Sequence, residues 1–117
     1  MARSFPLLSA ALFAAAMVFL PSGARADDDA KIQAVTERLG RICKNKVAET
    51  YTDSVMADIT VAMGATLRQS IDSGEITLAD IKKTGLSFDW KVKRKGPDPH
   101  GYCNVEYDGS IDDFSVN

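Results

Sequence analysis

The stretch Cys103-Asn104-Val105-Glu106-Tyr107-Asp108-Gly109-Ser110-Ile111-Asp112-Asp113-Phe114 decides the fold. Cys103, Val105 and Tyr107 alternate with polar residues, which is the period of a half-buried strand. Asp108-Gly109 is a two-residue turn signal that sends the chain back antiparallel. Counting outward from the turn pairs Tyr107 with Ser110, Val105 with Asp112 and Cys103 with Phe114. Paired residues share a face, so Cys103 and Phe114 are predicted to point inward. Asp112 falls on that face in this register, and a bulge after Ile111 would remove it.

Upstream, Phe88, Trp90 and Val92 alternate with Asp89, Lys91 and Lys93. This predicts another half-buried strand, broken by Gly96-Pro97-Asp98-Pro99. Together these segments make a three-stranded antiparallel meander.

Before Gly85 the period becomes helical. From about Asp28 to Glu49, Ile32, Val35, Leu39, Ile42, Cys43 and Val47 recur on one face. Asp27, Asp28 and Asp29 at its start, and Lys44 and Lys46 toward its end, suit the helix dipole. Thr77-Leu78-Ala79-Asp80 is a capping-box-like start for a short helix. Lys82 and Lys83 fit its last turn and Gly85 its C′ position. Between these two, Met56, Ile59, Met63, Leu67 and Ile71 form a helical stripe. It predicts a helix over Ser54 to Ile71, capped by Asp53 or Ser54 and ended by Ser73-Gly74. The β-branched run Ile59-Thr60-Val61 and the helix-weakening Gly64 support a rival strand near Asp58 to Met63. The predicted fold class is α+β, with two or three helices packed on one face of a small three-stranded antiparallel sheet.

The chain has two cysteines. Cys43 lies on the apolar stripe of the first helix and Cys103 on the inward face of a strand. Only one intramolecular pairing exists, so a Cys43–Cys103 disulfide is predicted to pin helix to strand, among Leu39, Val105 and Phe114. Neither cysteine has a partner at C-x-x-C spacing, which argues against a metal or redox pair.

An oxidising compartment fits the amino terminus. Arg3 is followed by an apolar run from Leu7 to Leu20, then by Pro21, Ser22 and Gly23, which predict a helix break. Ala24-Arg25-Ala26 is a small-x-small cleavage site. Residues 1–26 thus read as a signal peptide, and 27–117 as a single small exported domain, periplasmic or secreted. The run is short of the roughly 20 apolar residues a membrane span needs, so no stable membrane insertion is expected after cleavage. The signal segment holds two of the 14 basic residues, Arg3 and Arg25, and none of the 16 acidic ones. The remainder carries a net charge of −4. That acidity argues against a nucleic-acid partner.

Chemical motifs are sparse. His100, the only histidine, sits in a predicted loop tip without a second metal or acid–base partner nearby in sequence, and reads as a solvated side chain. An EF-hand frame around Gly74 places Gln69 and Ile71 at ligand positions. A frame around Gly109 places Ser115 where a bidentate Glu belongs, so calcium is not expected. No nucleophile elbow or phosphate loop occurs. No catalytic residue, metal or cofactor is predicted, and the protein is not expected to be an enzyme.

The basic segment has the most functional reach. Lys82, Lys83, Lys91, Lys93, Arg94 and Lys95 fall within 14 residues of an otherwise acidic chain. Lys91, Lys93, Arg94 and Lys95 are the candidate contacts for an anionic ligand or a partner protein. The competing reading is that outward lysines only protect a strand edge. The expected function is a non-enzymatic binding or accessory module. The alternative is an inhibitor or modulator of another exported protein, acting through the Gly96–Gly101 loop.

Overall fold

A computed structural model of the protein describes the backbone from Ser4 and the side chains from Ala26. The elements are α1 (Ser4–Thr50), a 3-10 turn (Met56–Asp58), β1 (Ile59–Ala62), α2 (Ala65–Asp72), α3 (Leu78–Thr84), β2 (Leu86–Val92), β3 (His100–Val105) and β4 (Ile111–Val116). The signal-peptide reading of residues 1–26 falls, but for Ala26, outside the described side chains. The α1 backbone stays helical through Pro21, Ser22 and Gly23, where the sequence predicts a break. The fixed φ of proline is itself near helical, so a helix can pass through it with the loss of one hydrogen bond. Met1–Ile32 and Gln33–Asn117 are two compact units, and the second holds the whole sheet. Among the described residues no helix is long and apolar enough to cross a membrane.

Burial along β2 alternates residue by residue. Leu86, Phe88, Trp90 and Val92 are buried, while Ser87, Asp89 and Lys91 are exposed. On β3 the buried set is Gly101, Cys103 and Val105. Val35, Leu39, Cys43 and Val47 of α1 are buried with them, as the helical spacing predicts. Each large apolar side chain so placed contributes about 1.5–3 kcal/mol.

The sheet has four strands, not three, in the order β1-β2-β3-β4, all antiparallel. The extra strand corrects the helix predicted over Ser54 to Ile71. Ile59 pairs with Val92, Thr60 with Lys91, Val61 with Trp90 and Ala62 with Asp89. β-branched residues suit a pleated surface, and the ladder supplied by β2 decides in their favour. Gly64 is extended and serves as the N-cap of α2. The stripe that looked like one helix is therefore divided among a turn, a strand and a shorter helix. α2 buries Ile71 and ends at Ser73, and Gly74 follows at φ 84°.

α3 starts as its sequence dictates. The Thr77 hydroxyl accepts the Asp80 N–H at 3.3 Å, and the Asp80 carboxylate accepts the Thr77 N–H at 2.9 Å. Its end needs a glycine. Gly85 has φ 72°, and a Cβ there would overlap the Val105 carbonyl and lie 2.7 Å from Glu106 Cα.

The β3–β4 hairpin corrects the turn and explains the awkward aspartate. The Gly109 N–H donates to the Glu106 carbonyl at 2.9 Å, the Glu106 N–H donates to the Ser110 carbonyl at 2.8 Å, and Gly109 has φ 95°. The loop therefore holds three residues, Tyr107, Asp108 and Gly109, in the form of a turn closed by a left-handed glycine. This moves the register by one, so Val105 pairs with Ile111. An irregularity at Asp112 moves it back. Asn104 pairs with Asp113 and Cys103 with Phe114, and Asp112 is exposed. The bulge suggested after Ile111 is thus present.

Cys43 and Cys103 are joined, with Cα atoms 5.9 Å apart and neither residue exposed. Phe88 and Phe114 are the ladder partners of Cys103 on either side. Leu39, one helical turn before Cys43, is also fully buried. The bridge fixes α1 across the middle of the sheet.

Candidate functional site

α1 enters the sheet region near the β3–β4 turn, where Arg38 Nη2 donates to the Tyr107 carbonyl at 2.8 Å. It passes the disulfide and ends at the opposite end, where Tyr51 meets Trp90. Ring centroids are 5.6 Å apart in that pair. Trp90 lies parallel to Phe114 at 5.4 Å. Gly101, the ladder partner of Trp90, makes this packing possible. A Cβ on it would overlap the Ser115 carbonyl and lie 3.0 Å from Trp90 Cζ2. The Trp90 indole N–H is buried without an acceptor among the described residues.

This aromatic end carries most of the basic segment, but the six cations do not form one patch. Lys82 and Lys83 lie on α3, before β2, and Lys82 sits over the Tyr107 ring at 5.9 Å. Lys91, Lys93, Arg94 and Lys95 lie at the other end of β2, about 20 Å away at ~3.3 Å per strand residue.

The four candidates also differ from one another. Lys91 projects from the outer sheet face, 3.8 Å from Asp98 Oδ2. Arg94 is a strut. Its N–H donates to Asp98 Oδ1 at 3.1 Å, while its guanidinium pairs with Asp53 Oδ1 at 2.9 Å and lies 5.3 Å from the centre of the Tyr51 ring. Lys93 and Lys95 are exposed, and neither ammonium has an ion-pair partner among the described residues. Among the described residues, the large apolar side chains left exposed are Val55, Met56 and Val116, at 62%, 46% and 52%. Topology brings all three to this same end. Val55 and Met56 lead into β1, whose first residue pairs with Val92, and Val116 pairs with Gly101 at the end of β4. Two unpaired lysines thus lie at the same end of the sheet as these exposed apolar groups.

The loop expected over Gly96–Gly101 ends at Pro99, because His100 and Gly101 belong to β3, and it is closed by contacts to its flanks. Asp98 holds Lys91 and the Arg94 N–H, and the Val92 N–H donates to the Pro99 carbonyl at 2.9 Å. His100 is exposed, with Nδ1 3.2 Å from the Asp98 carbonyl.

A groove of about 370 Å³, which the sequence reading missed, runs between α1 and the β1–α2 segment. Arg41, Lys44 and Arg68 line it, with Glu37 as the one acidic residue, and Phe88, Val61 and Met63 supply apolar surface. Gly40 is its one glycine, at mid-helix. A smaller hollow of about 250 Å³, where α3 meets β2, is lined in part by Glu106 and Asp112. The Glu106 carboxylate accepts the Ser110 hydroxyl at 3.3 Å.

Three titrations are displaced, each by surface hydrogen bonds. The Thr77 backbone and hydroxyl hold the Asp80 carboxyl below its ordinary value, and those of Ser110 do the same for Asp108. The hydrogen bond from Tyr102 to Asp113, at 2.7 Å, raises the phenol above its ordinary value. None of the three lines the groove or the hollow. Among the described residues, no three His, Cys, Asp or Glu side chains are grouped to hold a metal. Comparison with family models, with characterised proteins and with solved structures finds no match for the chain.

Proposed function

We propose that the protein is a non-enzymatic binding or accessory module of the periplasm or extracellular space, and that an anionic partner docks on the end of the sheet formed by Val55, Met56, Lys93, Lys95 and Val116. The carrying observation is the pair of exposed, unpaired lysines at the end of the sheet that also leaves apolar side chains exposed. Lysines used only to protect an edge would belong on β1 or β4. Lys93 and Lys95 instead follow β2, an inner strand. The disulfide supports an oxidising compartment.

The test uses phosphatidylglycerol vesicles and heparin as probes. Binding to at least one should weaken as salt rises, because exposed charges are screened. The variant Lys93→Glu/Lys95→Glu should lose at least tenfold in affinity, with stability within about 0.5 kcal/mol of the parent. Binding that survives both salt and reversal, or no binding to either probe, rejects the reading. Arg94 is left intact because its ties to Asp53 and Tyr51 would confound the result.

A second reading has one observation in its favour. The closed loop between β2 and β3 is preorganised, as a loop that inserts into another protein as an inhibitor or modulator would be.

A further inference from the structure

We propose that the groove between α1 and the β1–α2 segment is a separate binding site for a small organic anion with one charged head and an apolar body. Charge selects the head. Arg41, Lys44 and Arg68 line the groove, and Glu37 is the single carboxylate among its lining residues. No ion pair engages any of the three cations among the described residues. Glu37 instead takes a hydrogen bond from Gln33 Nε2 at 3.4 Å. Residues 27–117 carry a net charge of −4, so three cations with one carboxylate around one concavity stand out from the general charge.

The lining selects the body. Phe88 is 3% exposed and belongs to the core, yet it reaches the groove beside Val61 and Met63. The volume, about 370 Å³, lies toward the lower end of the range for small-molecule pockets, roughly 300–1,000 Å³. A few polar groups over apolar walls is the usual composition of such sites.

Gly40 is the independent clue. Glycine within a helix weakens it relative to alanine. A Cβ at Gly40 would touch the Phe88 ring at 3.4 Å, the near limit of ordinary contact, so an alanine just fits there and a larger side chain would have to extend into the groove. The missing side chain leaves free the space above Phe88, between Glu37, Arg41 and Lys44 on the same helix. Glycine at this position keeps the groove open.

This site does not depend on the docking end proposed above. Decanoate serves as the probe and decanol as its neutral counterpart, both titrated below their micelle or solubility limits into the disulfide-bonded full chain. The readouts are calorimetry and backbone amide shifts. Decanoate should bind one to one, at least tenfold more tightly than decanol, with the largest shifts at Gly40, Val61, Met63 and Arg68. Arg41→Ala/Arg68→Ala should weaken decanoate at least tenfold and leave decanol unchanged. Gly40→Leu should block both ligands, while heparin or phosphatidylglycerol binding, if present in the parent, is retained. Equal affinity for decanoate and decanol, absence of decanoate binding, or shifts centred on residues 93–96 would overturn the proposal. Should Gly40→Leu fail to fold, Met63→Trp fills the groove from the opposite wall and is read in the same way.

Discussion

Reducing the Cys43–Cys103 bridge should remove a large part of the stability of the domain. The cysteines are 60 residues apart. In the chain-entropy model, a loop of that length is worth about 4 kcal/mol at 25 °C. A compact unit the size of Gln33–Asn117 has a total stability of about 4–13 kcal/mol at the usual ~0.05–0.15 kcal/mol per residue. Loss of the bridge therefore removes about a third or more of that stability. Both cysteines are fully buried, so reduction is best done in urea, followed by refolding with reductant present. Trp90, the only tryptophan, is 2% exposed, and its fluorescence can report unfolding in both states. The reduced protein should be 2–5 kcal/mol less stable, with a steeper urea dependence, because the opened chain exposes more surface when unfolded. A difference under about 1 kcal/mol would refute the view that the bridge is the main tie between α1 and the sheet.

Other substitutions separate the remaining elements. Gly101→Ala should cost about 3 kcal/mol or more in urea unfolding, because its Cβ has no room beside the Ser115 carbonyl and the Trp90 ring; a loss under 1 kcal/mol would contradict the close β3–β4 approach. Arg94→Ala should cost about 1 kcal/mol, combining a partly exposed ion pair with a cation–π contact, whereas Lys95→Ala should leave the melting curve unchanged. Gly40→Ala should raise stability by about 0.5–1 kcal/mol through helix propensity, and a loss would show that Phe88 cannot accept the added methyl. In an NMR titration Asp80 and Asp108 should ionise below 3.8 and Tyr102 above 10.0. The two aspartates then add stability that is present above pH 3.8 and lost as pH falls through their folded values; Tyr102 adds stability that is present below pH 10.0 and lost as pH rises through its folded value. Thr77→Ala removes the hydroxyl but keeps the backbone N–H, so it should return Asp80 only part of the way toward 3.8, and an unmoved Asp80 would dismiss the hydroxyl as a cause.

The features legible in the sequence were those written in adjacent residues. The alternation from Phe88 to Val92, the stripe from Val35 to Val47 and the Thr77–Asp80 box each state their structure locally. The disulfide followed because both cysteines lay on faces fixed by period alone. β1 was harder to read because its stability is not local. Ile59 needs Val92, 33 positions later, and its neighbours Met56, Met63, Leu67 and Ile71 imitate one helical stripe while belonging to different elements. The left-handed Gly109 lengthened the turn by one residue, and the Asp112 bulge cancelled the shift, so Cys103 still met Phe114. At the basic segment, composition showed where cations gather but not that Asp53 and Asp98 engage Arg94 and Lys91. The groove was hidden because α1 and α2 each supply part of its charge. Its one local signal was a glycine in the middle of a helix.

The most direct test of the docking end is a backbone amide shift map of the disulfide-bonded protein, titrated with a short heparin oligosaccharide and then with phosphatidylglycerol nanodiscs. Perturbations from at least one probe should gather on Lys93, Lys95, Val55, Met56 and Val116, and should fade as salt is raised. Perturbations centred on Lys82 and Lys83, about 20 Å away along β2, or none from either probe, would contradict the account.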